Sequence, residues 1–167
     1  MKKILLYGLT LTAICSIFTS CMPKDDLVYA GPDVVEFKNH LFSRTAARQP
    51  AGVTANALLS RTVSVNTRGT DTIYVQLVGP QKSVAQQIGF SVATTSTAIA
   101  GTHYNFRPAG ATTVTIPANS STGYLLVDMI PGSVTGTATF PLALTLTGNG
   151  EIVPSQNYKT FTLTLRN

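Results

Sequence analysis

The chain has 167 residues, a length that predicts one domain with a single buried core. Hydrophobic residues make up 44% of the sequence and charged residues 11%, against about 25% charged in an average soluble domain. The net charge of +5 falls to +3 without Lys2 and Lys3, and no basic stripe with interleaved aromatics is present, which excludes a typical nucleic-acid-binding surface.

The first 20 residues have the layout of a signal peptide. Lys2 and Lys3 give a positive start, and residues 4–18 are apolar apart from small and hydroxyl residues. A transmembrane helix is the alternative, but a helix of that length rises only about 22 Å, short of the roughly 30 Å of a hydrocarbon core. The length therefore favours a cleaved signal peptide.

A cysteine ends this leader in the sequence Phe18-Thr19-Ser20-Cys21. The segment resembles a lipobox, with Phe18 in the place of the usual Leu, as is common in Bacteroidetes lipoproteins. The resemblance implies cleavage before Cys21 and a lipid, diacylglycerol with a further acyl chain such as palmitate, on this residue. Cys15 lies inside the leader, so we expect no disulfide in the mature domain.

A charged tether follows the cysteine. Lys24, Asp25 and Asp26 resemble the lysine-plus-two-acids export signal that sends Bacteroidetes lipoproteins to the cell exterior. A solvated spacer is the alternative reading of such a charged run. Gly31 and Pro32 end the tether. We thus expect a signal peptide at 1–20, the lipidated cysteine and tether at 21–32, and a folded domain at 33–167.

From Asp33 onward, apolar residues recur with the period of two that is typical of β-strands. About eight such segments are separated by turn signals rich in Gly, Pro and Asn. They are Asp33 to Phe37, Arg61 to Asn66, Thr72 to Val78, Ile88 to Val92, Val114 to Ile116, Leu125 to Met129, Phe140 to Leu146 and Phe161 to Leu165.

Strands that each have one apolar face predict an all-β, immunoglobulin-like antiparallel β-sandwich of about 7 to 8 strands. An outer-membrane barrel also has alternating strands, but the polar faces here lack its outward apolar band. The segment 38–57 has no pattern, and we interpret it as a long loop or an insertion.

Several pieces of the chain resemble one family. These are Ala100-Gly101-Thr102-His103-Tyr104, Val114-Thr115-Ile116-Pro117-Ala118, Tyr124 to Ile130, Pro141 to Thr147 and Tyr158 to Asn167. They look like the Calx-beta-like sandwich of Bacteroidetes surface lipoproteins, a set that includes domains of unknown function often encoded with glycan-uptake systems. His103 stands where an Asp is usual, and this departure argues against the calcium binding of true Calx-beta domains.

Few residues of the sequence could form a catalytic or metal site. His40 and His103 stand alone, Asp71 is isolated, and Asp128 and Glu151 are interpreted as solvated residues. A nucleophile with its base, a carboxylate pair or a calcium site would need more polar groups in proximity. We therefore expect neither an enzyme, nor a metal site, nor a cofactor.

Glycan binding usually involves an aromatic platform, and the chain has six Tyr but no Trp. Tyr74 and Tyr124 fall on the polar side of their strands, where they either cover the sheet or contact a ligand. Tyr104 is expected in the core or at a corner of the sandwich. Asp71-Thr72-Ile73 resembles a three-residue O-glycosylation motif of Bacteroidetes, which implies modification at Thr72.

Two hypotheses for function follow. The first is a lipid-anchored, non-catalytic binding or accessory module on the outer membrane, facing the cell exterior, that takes part in glycan capture through a shallow ligand site on the loops at one end of the sandwich. The second is a structural or adhesive component that docks an outer-membrane protein partner. Both place a membrane contact at the lipid on Cys21, and neither involves a nucleic acid.

Overall fold

The computed structural model describes residues 29–38 and 59–167. The chain divides into two compact units, Met1–Ala30 and Gly31–Asn167, and the strands of the described residues lie in the second unit. The predicted lipidation site Cys21, the export signal Lys24, Asp25 and Asp26, and most of the segment 38–57 lie outside the described residues. In the described ranges, no helix has the length and apolar character needed to cross a membrane.

Ten strands are present in the described residues. They are β1 (Val34–Phe37), β2 (Ser60–Ser64), β3 (Thr70–Val78), β4 (Gln86–Val92), β5 (Tyr104–Arg107), β6 (Thr113–Ile116), β7 (Thr122–Met129), β8 (Thr139–Gly148), β9 (Val153–Pro154) and β10 (Thr160–Arg166).

The strands form two five-stranded sheets. Sheet A has the order β5-β7-β3-β1-β9, and sheet B has the order β2-β10-β8-β4-β6. Most neighbours are antiparallel, but β1 pairs with β9 and β2 pairs with β10 in parallel. The fold is thus the predicted all-β sandwich, with two parallel pairs added to an otherwise antiparallel architecture.

The core lies between the two sheets and is built by the predicted alternation. On β8, Leu142, Leu144 and Leu146 are fully buried, while Ala143 and Thr145 lie on the opposite face and are half-exposed. Successive side chains of a strand point to opposite faces, so one apolar stripe per strand is enough to close the sandwich.

Two strands were absent from the prediction. β9 has only two residues, one of them Pro154, and gives no periodic signal. β5 does alternate, with Tyr104 and Phe106 buried, and this signal was overlooked. Phe140 also differs from the expectation: it is only half-buried at the edge of the core. Tyr104 lies in the core as expected, and burial raises the pKa of its phenol.

Candidate functional site

The outer faces of the two sheets differ in chemistry. The outward positions of sheet B are uncharged on all five strands, apart from Arg166 at the end of β10. Examples are Thr62, Thr162, Thr145 and Thr115. The outer face of sheet A carries tyrosines together with ionised side chains, and candidate ligand contacts lie where this face meets the edge of sheet B formed by β4 and β6.

The two tyrosines singled out in the sequence are cross-strand partners on that outer face. Tyr74 of β3 lies opposite Tyr124 of β7 in the antiparallel register. Tyr74 is half-buried, whereas Tyr124 is 60% exposed. The prediction that both lie on the side away from the core is confirmed, and Tyr124 is the one that presents most of its ring to solvent.

Tyr124 borders a cleft at the side of the sandwich, where β6, an edge strand of sheet B, contacts β7 of sheet A. The cleft, called the side cleft below, has a volume of about 480 Å³. Ten residues from β4, β5, β6, β7 and the intervening loops line it. They are Gln87, Arg107, Pro108, Ala111, Thr113, Val114, Thr115, Pro117, Tyr124 and Leu125.

A glycine allows the two sheets to approach each other beside this cleft. Gly123 is buried in β7, and a Cβ atom there would lie 2.5 Å from the backbone carbonyl oxygen of Thr115 on β6. Any larger residue would force the strands apart. Gly123 therefore fixes the position of Tyr124, the next residue along, against the β6 wall of the side cleft.

The β6 wall presents an ordered polar row. The Thr115 hydroxyl donates to Gln87 Oε1 at 2.9 Å, and the Thr113 hydroxyl donates to the same oxygen at 3.3 Å. With its oxygen occupied, the Gln87 side chain is held so that its amide N–H groups remain available as donors. The side cleft thus combines an aromatic face with a fixed planar amide.

The opposite wall carries a charged pair. Arg107 of β5 donates to Asp128 of β7 through Nε at 2.9 Å and Nη2 at 2.5 Å. The Thr70 hydroxyl donates to Asp128 Oδ1 at 2.7 Å. The Thr70 hydrogen bond, together with the Arg107 guanidinium, lowers the pKa of the Asp128 carboxyl below its ordinary value of 3.8. Asp128 lies on the outer, solvent-facing side of β7 as expected, and it forms there a surface ion pair that was not predicted.

A second acidic residue also departs from its prediction. Asp71 is not isolated: its side chain is fully buried at the end of β3, where Arg61 Nη2 reaches Oδ2 at 2.6 Å and Arg68 Nη2 reaches Oδ1 at 2.7 Å. Arg61 belongs to β2 of the other sheet and lies over the Phe161 ring. This cluster links the two sheets at one end of the sandwich and has a structural role.

His103 is a buried residue rather than a surface one. It is 5% exposed, stacks on Phe140 with a ring-centroid distance of 4.1 Å, and accepts a hydrogen bond from the Ile99 N–H at Nδ1, 2.9 Å away. It therefore shapes the tight loop before β5. In the portion of the chain that the structure describes, no group of three or more His, Cys, Asp or Glu is arranged to hold a metal ion.

Thr72 lies in the middle of β3, half-buried and paired with Leu126 of β7. Its backbone carbonyl accepts a hydrogen bond from Arg61 Nη2 at 3.1 Å. Modification of its hydroxyl stays a prediction.

Sequence reasoning missed Arg107 and Gln87. The four strands that build the side cleft follow one another in the chain, but β4 and β6 belong to sheet B while β5 and β7 belong to sheet A, and the sequence does not show how the two sheets meet. A polar residue in the outward phase of a strand was the available signal.

The sequence matches no protein-family model and no curated protein. The fold, however, matches solved structures at low sequence identity. The apo form of the Calx CBD1 domain is 12% identical, with a TM-score of 0.54 over 81% of this chain and 97% of that one. The calcium binding domain CBD12 of CALX1.1 is 14% identical, with a TM-score of 0.50 over 64% of this chain and 41% of that one. The chain therefore has a Calx-beta-like β-sandwich fold.

Proposed function

We propose that this protein is a lipid-anchored, non-catalytic binding module of the outer membrane surface that captures a glycan in the side cleft. The observation that carries the proposal is the side cleft itself, in which the exposed ring of Tyr124 lies beside the polar groups of Gln87 and Arg107. A sugar ring offers one apolar face and a rim of hydroxyls. An aromatic face with a few fixed planar donors matches both.

The anchoring part of the proposal rests on sequence. The leader, the lipobox-like segment ending at Cys21 and the charged run Lys24, Asp25 and Asp26 support a lipid anchor and a location facing the cell exterior. A short tether of this kind would hold the sandwich close to the membrane. Capture there would concentrate a polymer at the cell surface without cleaving it.

Calcium binding, which is part of the name of the similar CALX1.1 domain, is not part of the proposal. Calcium takes six to eight oxygen ligands, usually including several carboxylates. His103 is buried and stacked on Phe140. Asp71 and Asp128 both form ion pairs with arginines. The described residues therefore offer no carboxylate cluster that would suit such an ion.

The test is glycan binding by the full chain in a mild detergent, with a panel of neutral and acidic oligosaccharides. Covering about 60 Å² of the Tyr124 ring at about 25 cal/mol per Å² contributes about 1.5 kcal/mol, or roughly tenfold in affinity. Tyr124→Ala should therefore weaken binding about tenfold, while Tyr124→Phe, which keeps the ring, should change it much less. Binding to no glycan, or equal binding by Tyr124→Ala, would overturn the proposal.

A second candidate is docking of a protein partner, which the outer face of sheet B favours. This face is free of charge over most of its strand positions, and the centres of protein interfaces are depleted of charged residues. Thr162→Lys, at a central position of that face, should abolish recovery of a stoichiometric membrane partner after cross-linking on cells. Unchanged recovery would exclude docking at sheet B.

A further inference from the structure

The side cleft contains one ionised side chain among the residues that line it, and that charge is already balanced. Arg107 is the lining cation, and Asp128 on the adjacent strand accepts two of its N–H groups. The cleft therefore holds a cation that is fixed in position and close to electrically neutral as a pair. A site built to recruit anions would leave its arginine uncompensated.

We propose that Asp128 is a specificity-determining residue that makes the side cleft select uncharged saccharides over saccharides carrying carboxylate or sulfate groups. The inference rests on the proposed function, since it specifies the class of glycan that the same cleft takes. Asp128 acts through Arg107 and does not itself contact the ligand.

The physical reason is that two opposite charges act on any anion in the cleft. The Arg107 guanidinium would attract a ligand carboxylate, and the Asp128 carboxylate, bound to the same guanidinium, would repel it over a similar distance. A bidentate bond to the ligand would also require displacement of Asp128. Because the Thr70 hydroxyl holds that carboxylate from a third side, displacement is disfavoured.

A neutral sugar meets a different environment. The guanidinium has five N–H donors, of which Nε and one on Nη2 are directed at Asp128, and Nη2 also donates to Thr70 Oγ1 at 3.4 Å. The donors of Nη1 have no partner within the described residues, and they can reach hydroxyl oxygens in the cleft without disturbing the pair. Arg107 then acts as an oriented hydrogen-bond donor whose position Asp128 maintains.

The experiment compares xylohexaose and mannohexaose with hexagalacturonate, titrated into the full chain at low ionic strength. The parent protein should bind one of the neutral probes at least about tenfold more tightly than the acidic probe. Asp128→Asn, which keeps the shape but removes the balancing charge, should strengthen hexagalacturonate binding about tenfold and make it sensitive to salt. Thr70→Ala leaves both charges in place but removes the hydroxyl that holds the Asp128 carboxylate, so it should relax the preference for neutral probes by much less than Asp128→Asn does.

Arg107→Gln provides a second variant, because it removes the cation and leaves Asp128 as a bare carboxylate. It should weaken hexagalacturonate binding further and change the binding of neutral probes by less. Equal binding of acidic and neutral probes by the parent, or an unchanged ratio in Asp128→Asn, would overturn the inference while leaving glycan capture intact. Binding of neither class would instead overturn the proposed function and the inference together. Unfolding midpoints verify that each variant is folded.

Discussion

Replacing Asp71 by asparagine tests the charged cluster that links the two sheets. The carboxylate is fully buried and receives one arginine from each side: Arg61, whose side chain is 33% exposed, and Arg68, whose side chain is 45% exposed. The amide of an asparagine would keep the shape of the side chain, but it would leave two guanidinium groups facing each other without a negative charge between them.

The magnitude follows from burial. Breaking a buried ion pair by removing one partner costs about 3 to 5 kcal/mol. Both arginines here retain contact with water, so part of that cost is recovered by hydration and we expect a smaller loss, about 2 to 3 kcal/mol. Since a domain is held together by about 5 to 15 kcal/mol, the loss would be a large fraction of its stability.

Equilibrium unfolding in urea is the assay, with the midpoint and slope determined for each protein. Asp128→Asn is the matched control: it makes the same chemical change in a pair whose Arg107 is 57% exposed, and it should lose no more than about 1 kcal/mol. Equal small losses for both variants at unchanged slope would refute the view that the Asp71 cluster joins the sheets.

Three further predictions address the core, the acid response and the anchor. Leu144→Ala should destabilise the domain by about 2 to 5 kcal/mol through lost burial. Thr145→Ala, on the other face of β8, should cost about 1 kcal/mol at most. Similar urea midpoints for the two variants would show that the assignment of β8 residues to the core and the outer face is wrong. Because the pKa of Asp128 is lowered in the folded state, its stabilising contribution is present above the pKa of the unfolded state and is lost as pH falls through the pKa of the folded state. The free energy of unfolding, measured from pH 5 downward, should therefore decline less in Asp128→Asn than in the parent. Parallel curves for the two proteins would contradict this. Cys21→Ala should leave an uncleaved or soluble protein, because the proposed acyl chains would provide the membrane attachment at about 0.8 kcal/mol per buried methylene. Retention of the variant in the outer membrane after a salt wash would count against lipidation.

Much of the fold could be predicted because it depends on local alternation. Each of the eight segments predicted from apolar residues at a spacing of two contains a strand, as on β8 and β10. The pairing of those strands is not local. The parallel pairs β1 with β9 and β2 with β10 join segments that are far apart in the chain, and no turn chemistry in the sequence specifies them.

The candidate site was predicted only in part. Alternation placed Tyr74 and Tyr124 on an outer face, since both are out of phase with the core residues of their strands. The same alternation also predicts that Asp71 points inward, because it is in phase with Ile73 and Val75 on β3. A carboxylate buried there needs a partner, and this inference was not drawn from the sequence. The identity of that partner depends on how β2 and β3 meet across the sandwich, which is a property of the tertiary structure.

The most direct test of the account is to locate the bound saccharide on the surface. Amide chemical shifts of the full chain in detergent micelles, recorded during titration with the neutral hexasaccharide that binds best, report which residues it contacts. We predict saturable shifts at Arg107, Thr115 and Tyr124 around the side cleft, with Thr162 on the outer face of sheet B unaffected. Shifts confined to β2, β10 and β8 of sheet B, or to the loops at the ends of the sandwich, would contradict the side cleft as the binding site.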